Sequence, residues 1–154
     1  MILKNENDIY IYFETIEQLE PGNILDVGMF LKRIGSVSRK VMSREIPAYI
    51  QLDGVDFFPE ISFQIWEKIY DSITDVSAFL ESRRRAEYDL TVFLGTEALY
   101  QKQDFEAVSE KAAKHTRYLL ADRNLKQWNK ILPDEKIKEL NLEEKKYYLF
   151  DFGA

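Results

Sequence analysis

Apolar residues recur along the chain in short blocks that alternate between helical spacing and continuous runs. Over residues 9–19 they fall three and four positions apart, which predicts a helix with one buried face and Asp8 as its cap. Residues 23–28 form a continuous apolar run between Pro21-Gly22 and a glycine, which predicts a buried strand. Helical spacing over residues 30–44 follows it. Strand, glycine turn and helix in this order are the first half of a crossover unit, where open α/β sheets bind ligands.

The same alternation continues to the end of the chain. Further runs typical of strands lie at residues 49–56, 68–73, 88–95, 117–121 and 146–152. Helical patterns separate them, at residues 60–67, 75–85, 104–114 and 124–132. This order predicts a three-layer α/β fold, with a mainly parallel sheet of about six strands and helices on both faces. No repeat or linker divides the sequence, so we expect residues 1–154 to form a single domain.

Composition narrows the function classes. Lys plus Arg total 21 and Asp plus Glu total 27, a net charge of −6, and an acidic surface disfavours nucleic acid and anionic membranes. The absence of cysteine excludes disulfides and thiolate chemistry, and a single histidine, His115, argues against a metal site. We expect His115 to meet free carbonyls at a helix end. No secretory leader or membrane-spanning run is evident, so we expect a cytoplasmic protein.

Three segments together resemble the class I S-adenosylmethionine-dependent methyltransferases. Ile24-Leu25-Asp26-Val27-Gly28 resembles the first strand and the start of the glycine-rich loop of that family. Gly54-Val55-Asp56-Phe57-Phe58-Pro59-Glu60 resembles the end of its second strand. Tyr88-Asp89-Leu90-Thr91-Val92-Phe93-Leu94-Gly95 resembles its fourth strand, which borders the cofactor and substrate pocket. The resemblance covers about residues 5–121 and implies a methyltransferase-like Rossmann fold with a shortened C-terminal part.

The resemblance implies a site for S-adenosylmethionine. In it, the acid after the second strand, Asp56, accepts hydrogen bonds from the ribose hydroxyls, and Asp75 meets the adenine amine. Asp26 and Gly28 lie near the rest of the cofactor, with Leu94 and Gly95 on the substrate side. The cofactor-binding residues that it implies are therefore Asp26, Gly28, Asp56, Asp75, Leu94 and Gly95. No catalytic pair stands out, and methyl transfer, which depends chiefly on alignment, does not require one.

The loop after the first strand departs from the family pattern. Small residues usually alternate there, whereas Gly28 is followed by Phe30 and Lys32. Either the loop is rebuilt around the cofactor, or the crevice is closed and the ligand has been lost. The function is then that of a methyltransferase-like protein with weak or no cofactor binding, or of a non-catalytic interaction module whose crevice is filled by Phe30.

Each candidate residue also has an ordinary structural interpretation. Asp26 would accept backbone N–H groups at a helix start, and Asp56 and Asp75 would cap the helices that follow them. Lys32 and Arg33 either hold an anionic ligand or form a solvated face. Trp128 is expected to be partly exposed, as an oligomer contact. Residues 122–154 leave little room for a substrate-recognition insert, which favours a small-molecule ligand, a site completed by a protein partner, or no substrate.

Overall fold

A seven-stranded sheet lies at the centre of the protein, in a computed structural model that describes residues 6–33, 45–57, 69–82, 87–125, 128 and 134–153. The strands are β1 Asn23–Val27, β2 Gln51–Asp56, β3 Ser72–Asp75, β4 Tyr88–Phe93, β5 Thr116–Ala121, β6 Ile137–Leu142 and β7 Lys145–Asp151. The helices are α1 Glu6–Leu19, α2 Phe30–Arg33, α3 Val76–Glu81 and α4 Phe105–Lys114, with a 3-10 turn at Asp134–Lys136.

The strand order is β3-β2-β1-β4-β5-β7-β6. Strands β1 to β5 pair in parallel, and β7 pairs antiparallel with both β5 and β6. The chain first adds strands on one side of β1 and then returns to place β4 on its other side. Open α/β sheets bind ligands outside the carboxyl ends of the strands at such a switch point.

The mainly parallel α/β architecture predicted from the sequence is confirmed, but the strand count of six is too low. The additional strand, β6, is an edge strand in which Lys138 and Glu139 are exposed and no side chain is fully buried. Edge strands of this kind carry little of the apolar signal by which strands are recognised. Together, β6 and β7 form an antiparallel pair within the short stretch after β5.

Two apolar clusters, one on each face of the sheet, form the core. Neighbouring strand residues point to opposite faces, so Ile24 and Leu25 belong to different clusters. Buried residues of α1 and α2 pack on the face of Ile24, whereas those of α4 pack on the face of Leu25. This is the three-layer arrangement that the sequence predicts.

Helix α4 and the strands β1, β2, β4, β5 and β7 are confirmed. The predicted third strand, at 68–73, begins too early, because β3 starts at Ser72. Ile69 and Tyr70 are buried but lie before this strand. The predicted helix at 60–67, the end of the predicted helix at 75–85 and most of the predicted helices at 30–44 and 124–132 lie outside the described residues.

Two side-chain predictions are wrong. Asp8 does not cap α1, which begins at Glu6; its buried carboxylate accepts hydrogen bonds from Lys145 Nζ, 2.6 Å away, and from the Tyr147 hydroxyl. Trp128 is fully buried and packs between Phe93 and Phe150, with ring centroids 5.3 and 5.2 Å away. In the described part of the chain, no helix combines the length and apolarity needed to cross a bilayer.

Candidate cofactor crevice

The carboxyl ends of β2, β1 and β4 form one edge of the sheet, which we call the crevice. The register places Asp26 beside Gly54 and Val92, and it places Asp56 beside Asp75. The predicted site residues therefore lie along this one edge: Asp26, Gly28, Asp56, Asp75, Leu94 and Gly95.

Asp26 is fully buried and organises the turn from β1 into α2. Its carboxylate accepts hydrogen bonds from the backbone N–H of Phe30 at 3.0 Å and of Leu31 at 3.5 Å. The Tyr70 hydroxyl donates a third hydrogen bond at 2.7 Å. Asp26 thus holds the helix start, as its structural interpretation predicts.

Burial and hydrogen bonding oppose each other at Asp26. Burial raises the pKa of the Asp26 carboxyl above its ordinary value, while the hydrogen bonds from Tyr70 and Phe30 and the charge of Arg33 act to lower it. Burial, with the neighbouring Asp26 charge, also raises the pKa of Tyr70 well above its ordinary value. The Tyr70 hydroxyl therefore keeps its proton and is the donor of the hydrogen bond to Asp26.

Asp56, the acid expected to meet the ribose, is paired within the protein. Its Oδ2 lies 2.8 Å from Lys32 Nζ, and each of the two side chains is 1% exposed. A buried charge is costly unless a group of opposite charge lies beside it, and Lys32 and Asp56 meet this need for each other. The interpretation of Lys32 as part of a solvated face is therefore wrong.

Arg33 spans the switch point between β1 and β4. Its guanidinium donates to the carbonyl oxygens of Gly28 at 2.8 Å, Leu94 at 2.6 Å and Gly95 at 2.9 Å. Burial lowers the pKa of Arg33, and the nearby charge of Asp26 raises it. One side chain thus joins the two backbone segments between which the resemblance implies a cofactor.

The space above Gly28 is also occupied. This residue has a φ of 84°, a conformation that favours glycine, and a Cβ there would lie 2.5 Å from Leu99 Cδ1 and 3.2 Å from an Arg33 nitrogen. At Gly95, with a φ of 64°, a Cβ would lie 2.7 Å from Arg33. Both glycines therefore pack closely against side chains of this chain.

The carboxylate of Asp122, just after β5, fixes the loop that follows β4. It accepts hydrogen bonds from the Gly95 N–H at 2.8 Å, from the Thr96 N–H at 3.3 Å and from the Thr96 hydroxyl. Lys145 Nζ lies 3.8 Å from the same carboxylate. Gly95 is consequently held from both sides, its carbonyl by Arg33 and its N–H by Asp122.

Asp75 is the most peripheral of the predicted site residues. It is the N-cap of α3, where its carboxylate accepts a hydrogen bond from the Ala78 N–H at 2.7 Å. Its side chain is otherwise exposed. His115 likewise lies at a helix end, as the C-cap of α4, which agrees with its predicted structural role.

Sequence reasoning names Phe30 and Lys32 as the bulky residues that stand in the crevice, and of these two only Lys32 lies there. Phe30 is buried in the core, with its ring centroid 6.2 Å from that of Tyr12 in α1. Lys32 and Arg33 lie across the crevice. Around them, Tyr70 donates a hydrogen bond to Asp26, Leu99 packs beside Gly28, and Asp122 holds the loop after β4. The presence of two basic residues in a turn that should contain small ones is the available signal for Lys32 and Arg33; Tyr70 gives none, because its run has the pattern of a strand.

In this arrangement the crevice does not fit S-adenosylmethionine in the manner that the resemblance implies. The acid for the ribose is engaged by Lys32, and the backbone carbonyls beside both glycines are engaged by Arg33. Among the described residues, no group of three or more His, Asp or Glu side chains could hold a metal ion.

The strand order, the antiparallel pair at one edge and the crevice at the switch point define the class I methyltransferase fold. Neither a protein-family model nor a curated protein sequence matches the chain. Solved structures do match its fold. An assigned O-methyltransferase of Klebsiella pneumoniae has a TM-score of 0.62 at 10% identity, over 97% of this chain and 81% of that one.

Two further matches were solved with ligands. The O-methyltransferase of Bacillus cereus in complex with SAH has a TM-score of 0.58 at 10% identity, over 94% of this chain and 80% of that one. TomG, an O-methyltransferase of Streptomyces achromogenes involved in tomaymycin synthesis and solved with SAM, has a TM-score of 0.56 at 11% identity, over 93% and 78% of the two chains. The chain therefore has the fold of S-adenosylmethionine-dependent methyltransferases.

Proposed function

We propose that this protein keeps the methyltransferase fold but no longer binds S-adenosylmethionine, and that it acts as a non-catalytic interaction module. The observation that carries the proposal is the ion pair between Lys32 and Asp56, in which both side chains are 1% exposed. A cofactor using Asp56 would have to break this buried ion pair by separating the carboxylate from Lys32, which is strongly unfavourable.

Arg33 adds a second obstacle. Its hydrogen bonds to Gly28, Leu94 and Gly95 satisfy backbone acceptors on both sides of the switch point. A ligand bound there would break these hydrogen bonds. It would then have to provide new hydrogen-bond partners for the three carbonyls and for the guanidinium. Lys32 and Arg33 thus provide the partners that Asp56 and these backbone carbonyls would otherwise find in a bound ligand.

The test is a thermal titration with S-adenosylmethionine and S-adenosylhomocysteine. A ligand that binds only the folded state stabilises it by RT ln(1 + [L]/Kd), so about 2.7 kcal/mol is expected at a hundredfold excess over Kd. We expect no change in Tm at millimolar concentrations of either compound. A concentration-dependent rise in Tm would overturn the proposal.

A variant that opens the crevice provides the matched control. In Lys32→Ala/Arg33→Ala, the ammonium group beside Asp56 is removed and the backbone carbonyls of Gly28, Leu94 and Gly95 are uncovered. We expect S-adenosylhomocysteine to raise the Tm of this variant, and we expect the rise to disappear when Asp56→Ala is added. If the variant does not fold, the wild-type titration decides the question by itself.

A methyltransferase with a rebuilt loop is the second candidate function. The specific observation in its favour is that Asp26, Asp56 and Asp75 remain at the carboxyl ends of β1, β2 and β3, in the order that the resemblance implies. In this case Lys32 and Arg33 move aside when the cofactor binds. The wild-type titration separates the two candidates, because only the enzyme responds to the cofactor. For either candidate we expect a small-molecule or protein partner and no nucleic acid.

A further inference from the structure

A groove runs beside α1 at the edge of the sheet opposite the crevice. Glu20 and Ile50, which line it, come just before β1 and β2, whereas the crevice follows the last residues of these strands. The volume of the groove is about 650 Å³. A molecule in this groove would occupy a different part of the protein from a ligand in the crevice.

The floor of the groove is apolar and its sides carry two exposed aromatic rings. Ile9, Phe13 and Ile16 come from α1, and Ile50 from the segment before β2. Tyr10 is 56% exposed, and Tyr49 is 83% exposed. Together with Tyr100, which lies elsewhere, they are the large hydrophobic side chains that the described residues expose. Exposed tyrosines beside apolar surface are typical of protein interfaces.

Glutamates line the groove, and most of them have no partner among the described residues. Glu6, Glu14, Glu17, Glu20 and Glu45 line it. Glu14 accepts a hydrogen bond from Gln18 at 3.2 Å, whereas the other four make no ion pair or side-chain hydrogen bond within the described part of the chain. The negative potential of this groove is therefore uncompensated by neighbouring lysines or arginines of the described ranges.

We propose that this groove is a docking site for a segment of another protein that alternates Lys or Arg with apolar residues. Such a segment matches the groove in two ways. Its ammonium and guanidinium groups complement the glutamates, and they can also lie over the faces of Tyr10 and Tyr49. Its apolar residues, and the aliphatic stems of its basic side chains, cover Ile9, Phe13 and Ile50. This inference names the partner surface of the proposed interaction module and rests on that function.

The probe is a short fluorescein-labelled peptide that alternates lysine or arginine with leucine, titrated with the full chain and followed by fluorescence anisotropy. We expect saturable binding that weakens as the salt concentration is raised, because the Debye length falls from about 10 Å at 0.1 M to about 3 Å at 1 M. A peptide with serine in place of leucine should bind at least about tenfold more weakly, as the apolar floor then contributes nothing.

Two sets of matched variants locate the binding. The groove variant is Glu6→Gln/Glu17→Gln/Glu20→Gln/Glu45→Gln with Tyr49→Ala. The control variant removes exposed side chains of the same kinds elsewhere, as Glu81→Gln/Glu97→Gln/Glu135→Gln/Glu144→Gln with Tyr100→Ala. We expect the groove variant to lose at least about tenfold in affinity and the control variant to lose less than about threefold.

Three outcomes would overturn the inference. Equal losses in the two variants would mean general attraction to an acidic protein, and so would equal binding of the serine peptide. Absence of binding to the wild type, with binding after Arg39→Gln/Lys40→Gln/Arg44→Gln, would indicate that basic residues of this chain occupy the groove; these three lie outside the described residues. Absence of binding to every variant would also overturn it. The proposed loss of S-adenosylmethionine binding is measured independently, by the thermal titration.

Discussion

The crevice at the carboxyl ends of the strands and the groove at their amino ends both contain charged side chains. Those of the crevice have partners within the chain, whereas most of those in the groove have none among the described residues. In the crevice the charges of Lys32 and Asp56 are buried, that of Arg33 is partly buried, and all three meet partners of the same chain. In the groove the charges of Glu17 and Glu20 are exposed and have no such partner within the described ranges. The comparison shows that a cleft in the place where a fold usually binds ligands is not by itself evidence of a ligand site. Whether its polar groups are already satisfied is more informative.

The largest difference between the two regions is expected when one charge is removed from each. Asp56→Ala removes the carboxylate of the buried ion pair with Lys32 and should lower the free energy of unfolding by about 3–5 kcal/mol in urea denaturation. The double variant Lys32→Met/Asp56→Leu removes both charges and should recover most of this loss. A loss below about 1 kcal/mol for Asp56→Ala would show that the pair is not buried in solution.

A substitution at Gly28 tests how tightly the crevice is packed. Gly28→Ala combines a φ of 84° with a Cβ 2.5 Å from Leu99 Cδ1, so strain and overpacking together should cost about 2–4 kcal/mol. The cost should be smaller in a Leu99→Ala background, where the contact is absent, and a double-mutant cycle measures the difference. Gly22 has no positive φ, and a Cβ added there would lie 3.2 Å from its nearest atom, so alanine should cost less at that position.

Tyr70→Phe should have a smaller effect, and one that depends on pH. It removes the 2.7 Å hydrogen bond to Asp26, at an expected cost of about 1–3 kcal/mol near neutral pH. The pKa of the Asp26 carboxyl is raised above 3.8 in the folded protein, so folding favours the protonated form of Asp26. The stability that this preference contributes is lost as the pH rises from 3.8 through the folded pKa. Without Tyr70 this pKa rises further.

The difference in stability between Tyr70→Phe and the wild type should therefore grow as the pH rises from about 4 to about 7, as measured by urea denaturation at each pH. Tyr100→Phe is the control, because the Tyr100 side chain is 52% exposed and is expected to change stability little at any pH. If the difference in stability between Tyr70→Phe and the wild type does not change with pH, Tyr70 does not act through the ionisation of Asp26.

The smallest effect is expected in the groove. Glu17→Gln and Glu20→Gln remove exposed charges without described partners, in a protein of net charge −6, and should each change the free energy of unfolding by less than about 0.5 kcal/mol. A destabilisation above about 1 kcal/mol for either would show that the groove contributes to folding, as the crevice does.

The sequence predicted the fold because the fold depends on local patterns. The run at 23–28, the glycine after it and the β-branched residues of β4 each specify an element, and their order specifies the switch point. Strand β6 escaped recognition because Ile137, Leu140 and Leu142 are only partly buried at the sheet edge.

The state of the crevice was harder to predict because it depends on contacts between distant residues. Asp56 and Lys32 are 24 positions apart, and Arg33 meets Leu94 and Gly95 more than 60 positions away. No local pattern reports such pairings. The departure from small residues after Gly28 indicated a changed loop, but only the fold shows that Phe30 points into the core and that Arg33 lies across the switch point.

The hydrogen bonds of Arg33 to both sides of the switch point also bear on how the protein behaves in a cell. Many cofactor-dependent proteins are partly unfolded or degraded when their small molecule is scarce, because binding contributes to their stability. Here a guanidinium covalently attached to the chain is present at all times in the same place. If S-adenosylmethionine no longer binds, as we propose, the steady-state amount of this protein should stay constant when the methionine supply of the cell fluctuates.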